Sequence, residues 1–115
     1  MIAPMAYPSP DGTYEVRIRE WEARNSLWVR SPELWSAVEN RLLYKLKDVH
    51  WSAEVVTWSS NAVVRLECRK YPGNHRPAML RVVVDCAAGT ATLENGAVCN
   101  LDQLEQALDD SLTWV

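Results

Sequence analysis

Two histidines sit beside groups that alter what an imidazole can do: His50 lies two residues after Asp48, and His75 is followed by Arg76. A carboxylate that orients an imidazole makes a general base, and a thiol near an imidazole makes a nucleophile. Catalysis would therefore be sought at these histidines and at Cys68, Cys86 and Cys99. None of them stands in a motif. The chain has no Gly-rich phosphate loop, no zinc-ligand Cys/His spacing, no carboxylate pair at a telling separation and no nucleophile elbow. An active site needs convergent groups rather than isolated ones, so the residues read as a chain that is not an enzyme and holds no cofactor or metal. A small hydrolase or transferase centred on His75 is the third choice among functions.

The charges point elsewhere. Of 115 residues, 12 are Lys or Arg and 15 are Asp or Glu, for a net charge of −3. All the bases fall in residues 1–81, whereas residues 82–115 carry none and six acids: Asp85, Glu94, Asp102, Glu105, Asp109 and Asp110. Such a molecule is electrically polar unless its tail folds across the basic part. Asp109 and Asp110 fall in the last turn of the expected C-terminal helix, where the macrodipole is already negative and each costs about 0.3–1 kcal/mol relative to a base. With Asp102 and Glu105 they read either as a solvated helix face or as a patch complementary to a basic partner.

Six tryptophans with no phenylalanine is the second unusual feature. Tryptophan replacing phenylalanine in the core is one reading, and an exposed anchor in a protein interface is the other. Trp21, Trp28 and Trp35 are seven apart, an odd separation that puts at least one of them outside if the segment is extended. Trp28 beside Arg30 is the anchor chosen, and the 71–77 loop, with Tyr71, His75 and Arg76, is the best small candidate surface.

The elements that would carry these residues are mostly strands. The stretch 62–86 alternates twice, so Ala62, Val64, Leu66 and Cys68 share an apolar face with Leu80, Val82, Val84 and Cys86, and Arg65, Glu67, Arg69, Arg81 and Asp85 point outward. Closing that hairpin near residue 74 sets Cys68 opposite residue 80 or 82, away from Cys86, so no disulfide is expected and the thiols read as reduced. Upstream, Ser9-Pro10-Asp11-Gly12 is a turn from which the fold begins, with a strand over 13–20. Residues 27–30 form a second strand, 31–33 a bend, and 34–38 either more strand or a short helix.

A strand over 41–47 would place Leu42, Tyr44 and Leu46 inward, and 53–58 is another. The 59–61 closure needs Asn61 in the left-handed region if the loop has three residues; a two-residue closure would swap which of Val55 and Val56 lies inside. Residues 90–93 make a short final strand. Asn100 then caps a helix with Gln103 as capping-box partner and a stripe of Leu101, Leu104, Leu108 and Leu112. The expected fold is α+β in a single domain over 1–115: one antiparallel meander of about six or seven strands with its apolar face covered by the C-terminal helix. The start of the chain lacks a basic n-region and is broken by prolines, and no apolar run reaches membrane length, so a cytoplasmic protein without membrane contact is expected.

Outward bases at Arg17, Arg19, Arg41, Lys45, Lys47, Arg65, Arg69 and Arg81 would suit a ligand- or RNA-binding sheet with an exposed Trp. Glu15, Glu67 and Asp85 are interspersed and the total charge is negative, so cross-strand ion pairs explain the pattern more simply and nucleic acid is disfavoured. Taken whole, this mildly acidic, aromatic-rich small domain without catalytic motifs resembles the immunity proteins encoded beside bacterial contact-dependent growth inhibition and related polymorphic toxins. The resemblance implies a protein that binds one cognate toxin domain and blocks its active site or substrate groove. If that toxin were a nuclease, Asp102, Glu105, Asp109 and Asp110 would face its basic groove.

Overall fold

A ten-residue helix is about 15 Å long, enough to roof two or three strands spaced about 4.8 Å apart but not seven. A single broad sheet would leave much of its apolar face wet. The computed structural model, which describes residues 5–115, meets this by dividing the strands into two sheets, and so corrects the single meander. The first sheet has four strands in sequential order: β1 (Met5–Pro8), β2 (Tyr14–Arg24), β3 (Leu27–Ser36) and β4 (Arg41–Lys45). The chain continues through β5 (Trp51–Trp58), β6 (Val63–Lys70), the two-residue β7 (His75–Arg76), β8 (Leu80–Asp85), β9 (Thr90–Leu93), β10 (Val98–Asn100), helix α1 (Leu101–Asp110) and β11 (Thr113–Trp114). The second sheet runs β10-β9-β8-β6-β5, and β7 pairs separately with β11. All pairings are antiparallel.

The apolar faces of both sheets and the helix meet in one core. Val16, Ile18 and Leu34 come from the first sheet, Val64, Leu66, Leu80, Val82 and Val84 from the second, and Leu104 and Leu108 from α1. The helix therefore shares the roof with the folded-back strands β2 and β3. Gln103 Oε1 accepts the Asn100 N–H at 3.4 Å at the expected helix start, and Leu101 and Leu112 pack at the edge of the core.

Around residues 62–86 the register follows the alternation. Val64 faces Val84, Leu66 faces Val82 and Cys68 faces Leu80, and all three cysteines are free. Burial pushes the Cys68 and Cys86 thiols up to about 12, which leaves neither as a thiolate nucleophile.

Elsewhere tertiary pairing overrides local signals. The turn at residues 9–12 forms, with Gly12 at φ 76° and its N–H on the Ser9 carbonyl, but it joins β1 to β2 rather than starting the fold. Residues 1–4, on which part of the leader reading rests, lie outside the described residues. No bend interrupts residues 31–33: β3 runs straight through Pro32 to Ser36. Pro32 pairs with Ile18 on one side, while β4 reaches only as far as Glu33 on the other, the half-open setting in which a strand tolerates proline.

Two bulges decide which side chains lie inside. In β4, Tyr44 faces Leu34 but Leu42 faces Trp35, so Leu43 is the extra residue and the parity changes. Leu42, expected inside, is 37% exposed, whereas Leu43, Tyr44 and Leu46 pack against the core. In β5 the bulge falls at Glu54, which turns Val56 onto the core and leaves Val55 outside. Asn61 keeps a negative φ; its Oδ1 instead accepts the Asp11 N–H at 3.0 Å, joining the turns of the two sheets. Residues 90–93 form a strand as expected, but β10 and β11 follow it.

Candidate functional site

The four helix acids divide into two kinds. Glu105 turns toward the segment between β4 and β5, where its two carboxylate oxygens accept the backbone N–H groups of Lys47 at 2.7 Å and Asp48 at 2.9 Å. Asp109 accepts from the Lys70 ammonium at 2.7 Å, and the same ammonium lies 3.2 Å from Asp48 and 5.4 Å from the centre of the buried Trp51 ring. These contacts latch α1 to β6 and to the 47–48 segment. They also account for an acid in the last helical turn, since the nearby cation offsets the macrodipole. Partial burial raises the Asp48 carboxyl, but the His50 N–H, the His50 ring and Lys70 outweigh it and hold the group at about 2. Asp102 stands in the first helical turn, where the dipole favours it, and Asp110 accepts from Gln106 at 2.8 Å.

Asp102, Glu105 and Asp109 do line one groove, but Lys45 and Lys47 line it as well. The tail thus folds across part of the basic region, and the expected electrical polarity is partly cancelled.

The two histidines differ sharply. His75, expected at a partner surface or as a catalytic centre, is 4% exposed inside the β7–β11 pairing. Its Nε2 accepts the Lys70 N–H at 3.0 Å, so Nδ1 carries the proton and donates to the Pro77 carbonyl at 2.8 Å. Trp114 meets the ring edge-on at 5.1 Å. With both nitrogens used and no exposed edge, His75 is a structural residue that holds the 71–77 loop. Arg76 beside it remains exposed.

Asp48 and His50 do meet, with Nδ1 and Oδ1 at 2.6 Å, and the His50 ring stacks on Tyr71 at 6.0 Å and meets Trp21 edge-on at 5.7 Å. Among the described residues no hydroxyl or thiol hydrogen-bonds to this imidazole, so the pair has an orienting carboxylate but no convergent nucleophile.

The tryptophans also separate. Trp51 is fully buried; Trp21 donates to Ser31 Oγ and the Val49 carbonyl, Trp35 to Glu33 and Trp58 to the Tyr7 carbonyl. Trp28, by contrast, is 42% exposed and Leu27 beside it 47%, at the tip of the β2–β3 hairpin. Asn25 and Ser26 form that tip with φ of 50° and 64°, the doubly left-handed turn that matches strand twist. The hairpin overhangs the second sheet, so Leu27 and Trp28 border a pit of about 30 Å³ with Ser52, Arg69, Tyr71 and Pro72. Two expected contacts, Trp28 and Tyr71, are therefore brought together from segments more than forty residues apart.

Arg30 does not join them. Its guanidinium turns inward, with Nη2 donating to the Tyr7 hydroxyl at 2.6 Å and Nε buried without a partner. Leu27 was missed, because its only local signal was its place beside Trp28; Pro72 lies in the 71–77 loop already singled out, and Arg69 was read only as one of the outward bases of a possible nucleic-acid surface.

The outward bases are largely paired. Arg19 lies 2.8 Å from Glu33, Arg69 2.8 Å from Glu54, Arg41 3.4 Å from Glu39 and Arg81 3.7 Å from Glu67, while Arg17 bonds Glu15 and stacks over Trp35 at 3.9 Å. Among the described residues no group of three His, Cys, Asp or Glu side chains is placed to hold a metal ion, and no helix is long and apolar enough to cross a membrane. No protein-family model, no curated protein and no solved structure matches this chain.

Proposed function

We propose that this chain is an immunity-type inhibitor, a cytoplasmic protein that binds one cognate toxin domain and occludes its active site or substrate groove. The observation that carries the reading is the exposed Trp28, held with Leu27, Tyr71 and Pro72 around one pit on the two-sheet frame. Large aromatic side chains presented beside a shallow pocket are the chemistry of interface hot spots, where one residue contributes much of the affinity. A pit of about 30 Å³ suits the tip of a protein side chain and falls far below the roughly 300 Å³ of a small-molecule site. The rival, an RNA- or ligand-binding sheet using its basic outer face, has less support, because Arg19, Arg41 and Arg81 each have an acid within 4 Å.

The test is to purify the product of the adjacent reading frame, titrate it calorimetrically with this chain, and ask whether the chain rescues cells that express it. Trp28→Ala should weaken binding by about 30-fold, equivalent to about 2 kcal/mol, with the thermal midpoint unchanged. A neighbouring product that is neither bound nor neutralised, or full binding by the Trp28→Ala protein, would overturn the reading.

A further inference from the structure

The pit has a polar side that its apolar walls do not use. Arg69 contributes to its lining, and of its guanidinium only Nε is engaged, by Glu54 at 2.8 Å; neither terminal nitrogen makes a hydrogen bond among the described residues. Ser52 Oγ already accepts the Arg30 N–H at 3.0 Å and donates to Glu54 at 3.0 Å, while the Tyr71 hydroxyl and the Trp28 indole N–H make no hydrogen bond among the described residues. Of these free groups only the Arg69 fork is charged, a planar pair of donors suited to a carboxylate.

We infer that the pit takes the tip of an apolar side chain of the partner, set against Trp28 and Tyr71, with an acidic side chain next to it in the chain received by the terminal nitrogens of Arg69. The partner's contact is therefore an exposed apolar-acidic loop. It is not the basic groove suggested by the helix acids, since Glu105 and Asp109 already have internal partners. This rests on the reading of the Trp28 surface as partner-facing but not on the partner being a toxin.

The experiment is a selection of displayed random dodecapeptides on the full chain, followed by calorimetry and amide and indole NMR with the selected peptides. Sequences with Leu, Phe or Trp followed within two residues by Asp or Glu should be enriched, and they should shift the Trp28 indole and Arg69 Nε signals. Arg69→Gln should reduce affinity five- to tenfold and erase the preference for acid over amide, while Trp28→Ala should abolish the selection. Enrichment of basic sequences, no enrichment, or unchanged selection by Trp28→Ala would each overturn the inference. A chain that selects apolar-acidic peptides here yet ignores the neighbouring frame's product would keep this inference and lose the proposed function; the reverse result would do the opposite.

Discussion

Replacing Glu105 separates its role as a latch from a role in a charged patch. Its carboxylate accepts two backbone N–H groups, from Lys47 and Asp48. A hydrogen bond to a charged group contributes about 1.5–3 kcal/mol when desolvated and nearer 0.5–1 kcal/mol when water can replace it. The Lys47 bond is exposed and the Asp48 bond partly buried, so Glu105→Ala should cost about 2 kcal/mol, less a few tenths for the better helix propensity of alanine. Glu105→Gln keeps one acceptor but sets an amide NH2 against the second N–H, and should cost about 1 kcal/mol. For a chain of 115 residues, 1 kcal/mol moves the melting temperature by about 4 °C. Calorimetry should thus show falls of about 7 °C and 4 °C, and urea titration a lower midpoint at an unchanged slope. An Ala variant that melts within about 1 °C of the parent would refute the latch and return Glu105 to the solvated face.

The Lys70 bridge makes a pH-dependent prediction. The folded Asp48 carboxyl is held at about 2 against an ordinary 3.8, so its contribution is fully present above pH 4 and is lost as pH falls through 2. With a carboxylate 37% exposed and screened by solvent, that contribution is about 1 kcal/mol. Lys70→Met should cost about 2 kcal/mol at neutral pH and flatten the acid limb of the stability curve, as read by denaturant titration between pH 2 and 6; an unchanged limb would count against the bridge. At the hairpin tip, Ser26 occupies the left-handed region that disfavours any side chain, so Ser26→Gly should raise the melting temperature by about 2 °C, near 0.5 kcal/mol after the entropy glycine adds to the unfolded chain. A fall would show that the serine is held there by something other than turn geometry.

What the sequence made legible depended on the range of the interaction. The 62–86 faces, the Cys68–Leu80 register, the Asn100 helix start and the turn at residues 9–12 follow from alternation, capping and turn chemistry acting over a few residues. Pro32 and Leu42 misled because their fates are set by neighbours: one by how far β4 extends, the other by a single extra residue at Leu43. The division into two sheets was hidden for the same reason, since strand periodicity says which face is dry but not what dries it. At the site, the spacing of Trp21, Trp28 and Trp35 required at least one of them outside without saying which, and Tyr71 reaches Trp28 only through the overhang of the β2–β3 hairpin. Arg30 and His75 looked available in sequence, and tertiary contacts claimed both.

The acid-rich last third illustrates how little a segmental charge count says about surface potential. Residues 82–115 carry six acids and no base. Asp109 meets a lysine from β6, and Glu105 uses its charge on backbone donors between two strands. Charges written apart along the chain are thus brought within hydrogen-bond distance by the docking of one helix. The same docking sets β6, whose last residues are Arg69 and Lys70, so Lys70 anchors the helix from the strand in which Arg69 borders the Trp28 pit. The helix latch and the pit thus draw on neighbouring residues of one strand, with side chains on opposite faces. A Lys70→Met variant should weaken peptide binding at the pit only where the latch itself is measurably loosened.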